Sequence, residues 1–293
     1  MRICAYVLVA DPAWATVSMR SYYSLVDEIV LSYDENYKGW TGAPVQTEET
    51  LSKLLKCDSR NKMRRHPGRY FHQGRPPMEN ETRQRRVALK ESGSKADWVL
   101  TLDTDEFLPD PQIFVQALEM ADSLAIPSVE WPMRVLFQQL SPKEYLEVCQ
   151  KDGSDHYEYP GATAVKPDVE LREARHTVGT FLRYVVKGDQ RSLQITRPKQ
   201  PGETRLELPL AHQAIIHNSW ARDPANILRK QASWGHHQDM RNWQLYYLKW
   251  RSAPLIWRYM RNLHPLNPEL WPALRACEIP PADLSVEEGE EAP

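Results

Sequence analysis

The chain has 293 residues, 41% of them hydrophobic, with 37 Lys/Arg against 39 Asp/Glu and a net charge of −2. That length and apolar content suffice for one large domain or two modest ones and exclude global disorder. The near-neutral balance excludes general nucleic-acid coating, so no nucleic-acid partner is expected. No stretch reaches the roughly 18 apolar residues of a spanning helix.

Ile3 to Ala10 is a continuous apolar run with β-branched residues and reads as a buried strand. Asp11-Pro12 supplies a cap followed by proline at the first helical position, predicting a helix to about Leu25. Glu28 to Tyr33 is a second strand, ending at Asp34. A β-α-β beginning implies a parallel sheet with ligands at the carboxyl ends of its strands. Residues 34–47 form a Gly/Pro-rich loop, Glu48 to Lys56 a short helix, and Lys62 to Phe71 holds a third strand. Residues 60–90 carry ten Lys/Arg against Glu79 and Glu81, a local balance of +8. A helix runs from near Asn80 to about Glu91, and Ala96 to Leu102 is the next strand.

Asp110-Pro111 starts another helix, and Leu124 to Phe137 alternates as one long strand or two short ones. Further on, the pattern predicts a helix near 142–150, a strand at Thr180 to Lys187 and a strand at Leu206 to Ile216. Helices are expected at about 223–234, 241–252 and 254–262. Residues 278–293 hold six acids and no Lys/Arg and read as a disordered tail. The four cysteines show no CxxC spacing, so no zinc site is expected. The thiols and the absence of a signal-peptide pattern read as a reducing, cytosolic setting.

The strand at Ala96–Leu102 delivers Asp103, Asp105 and Glu106 within four positions. Crowded acids repel one another and cost desolvation unless a cation offsets them, so removing one should relieve repulsion. Hard oxygen ligands of this kind suit Mg2+ or Mn2+, and such an ion could hold a diphosphate. A solvated Asp-rich turn is the plainer alternative. A strand-end Asp-x-Asp also opens haloacid-dehalogenase phosphatases, but Phe107 stands where that pattern wants Thr or Val, far from the N-terminus.

Several segments in order resemble the GT-A glycosyltransferases, specifically the family-2-like group. They are Ile3–Ala10, Ile29 to Asp34, the helix Glu81 to Leu89, and Ala96 to Leu100 with the Asp103-Thr104-Asp105 triplet and Glu106-Phe107-Leu108. Later come His217-Asn218-Ser219-Trp220-Ala221-Arg222, Lys230 and Trp234-Gly235-His236. The likeness covers about residues 1–240. It implies an α/β fold: a GT-A-like (Rossmann-like) mixed, mainly parallel sheet flanked by helices. A helical C-terminal part at 241–277 and the acidic tail at 278–293 would follow.

The resemblance implies a nucleotide-diphosphate-sugar donor and a divalent metal, Mn2+ or Mg2+. The metal set would be Asp103, Asp105 and His217. Donor contacts would come from Asp34, Arg83, Arg86, Asp103, Trp220, Arg222 and Lys230. Arg83 and Arg86 lie one helical turn apart and share a face, whereas Arg85 reads as exposed. Asp34 is equally readable as a turn cap, and His217 as a structural histidine, with His236 and His237 competing for its role. Family members often place the catalytic base in a Glu-Asp pair, which this chain lacks. Asp155, Glu158, Asp168 and Glu170 are the replacement candidates.

The expected reaction is sugar transfer to a glycan, lipid-linked or small-molecule acceptor. Nucleotidyl transfer is an alternative, although a Gly-rich loop after the first strand is missing. A non-catalytic nucleotide- or glycan-binding protein with a degenerate site is another. Trp243 to Leu263 mixes aromatics with Lys249, Arg251, Arg258 and Arg261, a pattern suited to peripheral membrane contact as well as to packing over the sheet.

Overall fold

The computed structural model describes residues 1–240 and 242–279. Its first half alternates strands and helices: β1 (Ile3–Leu8), α1 (Ala15–Tyr22), β2 (Glu28–Asp34), α2 (Thr47–Lys56), β3 (Met63–Gly68), α3 (Pro77–Gly93), β4 (Trp98–Leu100), β5 (Glu106–Phe107) and α4 (Pro111–Ser123). The second half is richer in strands: β6 (Ser128–Glu130), β7 (Met133–Gln139), β8 (Glu144–Cys149), β9 (Ala164–Val165), β10 (Leu171–Glu173), β11 (His176–Thr177) and β12 (Phe181–Val185). Then come α5 (Leu193–Thr196), β13 (Glu203–Glu207), β14 (Ile215–His217), α6 (Pro224–Ser233), α7 (Trp243–Ile256) and β15 (Ala273–Glu278).

The α/β expectation is met. The main sheet has eight strands in the order β13-β12-β6-β9-β4-β1-β2-β3. Its pairs are parallel except where β9 runs antiparallel between β4 and β6. The chain leaves β1 toward β2 on one side and returns as β4 on the other, so a crevice opens at the carboxyl end of β1. A second sheet, β15-β8-β7-β14-β5, abuts it. There Ile216 pairs with Phe107 and His217 with Glu106.

β1 and β4 are buried throughout, as an apolar run in a sheet covered on both faces must be. One face packs on Met19, Tyr22, Phe114 and Trp131. The other, with Tyr6, Leu8 and Val99, meets Ala88 and Leu89 of α3. A separate aromatic core places Trp220, Trp250 and Trp271 between the second sheet and α6–α7. Fully burying a large apolar side chain contributes about 1.5–3 kcal/mol, so these contacts fix the helices on their sheets.

Several sequence expectations are corrected. Asp11 does not cap α1, which starts at Ala15: one carboxylate oxygen accepts the Ala13 N–H at 2.8 Å and the other pairs with Arg222. Residues 144–149 are a strand, not a helix, held between β7 and β15. The expected strand at 206–216 divides into β13, a helical turn at Ala211–Gln213 and β14. The two helices expected around Pro254 are one helix with the proline inside it. Segment 241–277 is not all helical, since β15 returns to the second sheet beside β8 and includes Glu278. Of the acidic tail, residues 280–293 lie outside the described residues. Among the described residues no helix is long and apolar enough to cross a membrane, and all four cysteines are free.

Candidate active site

A cleft of about 350 Å³ opens at the carboxyl ends of β1, β2 and β4. The residues that charge it come from three elements. The turn after β4 brings Asp103 and Asp105. Helix α3 brings Glu81 and Arg85. The segment from β14 into α6 brings His217, Arg222 and Lys230.

Helix α3 is oriented by Ala88 and Leu89, which pack on the sheet. Helical spacing carries the same face through Arg85, Gln84 and Glu81, all buried. Arg85 Nε donates to Glu81 Oε1 at 3.0 Å. Its Nη2 reaches both oxygens of Asp103 at 3.1 and 2.9 Å. Burial alone would lower the guanidinium's pKa, but Asp103 and Glu81 outweigh it and raise it well above the ordinary value.

The expectation for this helix is therefore inverted. Arg85 faces the cleft, whereas Arg83 and Arg86 do not line it. Arg83 donates to the Arg69 carbonyl at 3.2 Å, and Arg86 to the Leu171 carbonyl at 2.8 and 2.6 Å. The signal was present in the sequence. Ala88 and Leu89, the apolar pair, lie three and four residues beyond Arg85 and fix which arginine turns inward.

The other acids are also held by cations. Arg175 donates to both oxygens of Glu106 at 2.7 Å, and the Asp103 amide donates to Glu106 Oε2 at 3.0 Å. Asp105 accepts from Arg222 at 2.5 Å and Lys230 at 3.2 Å, with His217 Nε2 at 3.7 Å. Burial alone would raise the Asp105 pKa, but Lys230 and His217 bring it below the usual carboxylate range. For His217 burial works against the charge, yet Asp105 prevails and raises its pKa. Burial and Arg222 pull Lys230 down to about 8 against the pull of Asp105. Arg222 also pairs with Asp11.

One oxygen each of Asp105 and Glu106 and one ring nitrogen of His217 lie within 4.8 Å of one another. By distance this compact donor group includes Glu106 and not the expected Asp103; Arg85 engages the oxygens of Asp103 much as Arg175 engages those of Glu106. The carboxylates suit Mg2+ or Mn2+, whereas the imidazole also suits Zn2+ or Fe2+. His217 Nδ1 is buried and has no hydrogen-bond partner among the described residues, which fits a ring still able to take a ligand. Glu106 is less available, because Arg175 occupies both of its oxygens.

Of the candidate bases, only Glu158 lines the cleft. Its backbone is pinned to Met133 at 2.9 Å in both directions, and the Trp271 indole donates to its carboxylate. Burial raises its pKa to about 7, against the opposing effects of His217 and Trp271. Asp155 instead pairs with Arg275 at 2.7 Å. Asp168 and Glu170 lie with Arg86 in a separate shallow depression.

Asp34 borders the cleft, but its carboxylate accepts backbone N–H bonds from Asn36, Tyr70 and Phe71 at 2.8–3.2 Å. It therefore acts as the turn cap that its residue type favours. Trp220 lines the cleft and packs against Trp234, Trp243 and Tyr246. His236 borders the cleft and His237 does not. Gly235 lies so close to α3 that an added Cβ would meet Glu81 Oε2 at 2.7 Å.

No protein-family profile matches the chain, and no curated protein does. Among solved structures, 4-diphosphocytidyl-2C-methyl-D-erythritol synthase from Anaerococcus prevotii has a TM-score of 0.32 at 12% identity, over 57% of this chain and 70% of that one. CMP:2-keto-3-deoxy-manno-octonic acid synthetase complexed with CTP gives 0.31 at 12%, over 57% and 75%. Mannose-6-phosphate isomerase from Helicobacter pylori gives 0.30 at 17%, over 50% and 55%. The α/β class rests on the strand order itself.

Proposed function

We propose that this chain is a transferase acting on a nucleotide-diphosphate-sugar, passing the sugar to a hydroxyl-bearing acceptor. The observation that carries this reading is Glu158, a buried carboxyl with a pKa of about 7 in the same cleft as Asp105, His217, Arg222 and Lys230. A base poised near neutrality takes the acceptor's hydroxyl proton as that oxygen bonds to the sugar's anomeric carbon. The bond from that carbon to the diphosphate breaks, and its electron pair leaves with the nucleoside diphosphate. Lys230 and Arg222 would meet the charge that develops there. Asp105 and His217 would hold a divalent ion, with Glu106 beside them, and Lewis-acid assistance to the leaving group is what such an ion supplies when bound.

Nucleotidyl transfer is the second reading, because Arg85, Arg175, Arg222 and Lys230 would suit a triphosphate as well as a diphosphate. Against it stands the turn after β1. That turn carries Asp11, paired to Arg222, and Pro12, which has no N–H to offer a phosphate.

The deciding experiment incubates the chain with nucleotide-sugars, with and without Mn2+, and follows both the thermal midpoint and nucleoside diphosphate release. A manganese-dependent rise in midpoint with one donor, and diphosphate release lost in Glu158→Gln, is the expected result. Pyrophosphate release from a nucleoside triphosphate and a sugar phosphate would establish the second reading instead. Donor binding without turnover under any acceptor would leave a binding protein.

A further inference from the structure

We propose that the outer side of α7 and the turn after it form a docking surface for an anionic lipid bilayer. Leu245 and Leu248 are 66% and 62% exposed, and Leu255 and Tyr259 are 86% exposed, with Ile256 exposed beside them. Isolated exposed apolar residues are ordinary, but these five fall within fifteen positions. In the helix, 245, 248, 255 and 256 share one side at the spacing of helical turns, and Tyr259 follows in the turn Trp257–Tyr259.

The opposite side of the helix is already occupied. Trp250 and Ala253 are buried there, and Trp250 Nε1 donates to the Phe137 and Trp220 carbonyls at 3.0 and 3.2 Å. Helix α7 thus carries two apolar sides, one filled by the protein and one bare.

Charge complementarity identifies the occupant. Arg251, Arg258 and Arg261 are exposed around the bare stripe, and Lys249 stands half-buried at its edge. The sequence from 240 to 268 contains no Asp or Glu. Lys249 donates to the Arg261 and Asn262 carbonyls at 3.5 and 3.2 Å, and Arg258 lies over the Trp257 ring at 4.5 Å. Aliphatic side chains flanked by cations, with no acid among them, match a bilayer interface. The leucines would enter the acyl boundary, and the guanidiniums would meet lipid phosphates and carboxylates.

The test is co-sedimentation of the full chain with phosphatidylcholine vesicles, with and without phosphatidylserine, at low and high salt. Binding is expected only with phosphatidylserine, weakened by salt. The paired change Leu255→Asp and Tyr259→Asp should lower the bound fraction about tenfold or more, since it removes apolar insertion and adds like charge to the lipid. Both side chains are mostly in water, so far-UV circular dichroism and the thermal midpoint should stay unchanged and separate lost docking from lost folding. Absence of binding to phosphatidylserine vesicles overturns the proposal. So does a dimer in sedimentation velocity that the same pair of changes dissolves, which would seat a second copy on the stripe. Binding that appears only after removal of residues 280–293 would put the acidic tail there and overturn it equally.

Discussion

Arg85 grips both carboxylate oxygens of Asp103 at 2.9 and 3.1 Å, so the first acid of the triplet is neutralised by the helix preceding it in sequence. The same guanidinium holds Glu81 at 3.0 Å. One buried guanidinium thus bridges two carboxyl groups at the floor of the cleft, of which Glu81 has its pKa raised by burial.

Replacing Arg85 by Met should therefore destabilise the protein by about 3–5 kcal/mol, the usual result of stranding a buried charge. Arg83→Ala and Arg86→Ala, on the outer side of the helix, remove hydrogen bonds to carbonyls and should cost about 1 kcal/mol each. Equilibrium urea unfolding of the three variants checks this. Equal losses would mean that Arg85 is not the inward residue.

Asp105→Asn should abolish manganese-dependent donor binding and also lower stability. The sequence predicts relief on removing one crowded acid, but the structure reverses that expectation. Asp105 is surrounded by Arg222, Lys230 and His217, and removing its charge leaves these cations facing one another. Calorimetric titration with Mn2+ and nucleotide-sugar reads the first effect, and the thermal midpoint the second. A more stable variant would contradict the arrangement of charges described above.

Glu158 makes a prediction in pH. Its folded pKa of about 7 lies above the ordinary 4.5, so the folded state holds the proton more tightly than the unfolded chain. That contribution is fully present below 4.5 and disappears as pH rises through about 7, costing on the order of 3 kcal/mol in all. Glu158→Gln keeps the neutral shape at every pH. Its thermal midpoint should match the parent near about pH 4 and exceed it near about pH 8, where the parent's carboxylate is charged. The same variant should lose the rise in turnover between those limits.

His217→Ala should reduce turnover while leaving the fold intact, because the ring's Nδ1 has no hydrogen-bond partner among the described residues and its Nε2 contact to Asp105 is long at 3.7 Å. Steady-state kinetics with circular dichroism as control measures it. Unchanged turnover would return His217 to a structural role.

The strand-end acids were legible because an apolar run must be buried and whatever follows it emerges at the sheet's edge. The inward side of α3 is legible from Ala88 and Leu89, whereas the conspicuous arginine pair one turn apart, Arg83 and Arg86, lies on the outer side. Residues 144–149 alternate imperfectly, and only pairing with β7 and β15 makes them a strand. Glu158 could not be chosen among four acids without the structure. Its elevated pKa arises from burial in a cleft that only the folded chain assembles.

The register of β14 against β5 has a consequence for synthesis. His217 reaches Glu106 through a pairing that spans more than a hundred residues, and Arg222 and Lys230 arrive with the same segment. Until that segment has left the ribosome, Asp105 lacks these three partners. Glu106 likewise waits for Arg175. A nascent chain therefore carries uncompensated acids beside an apolar strand, and contacts this distant close slowly. Stalling translation between Arg175 and His217 should leave a chain whose parallel core can form while its acid turn stays open to solvent and to proteases.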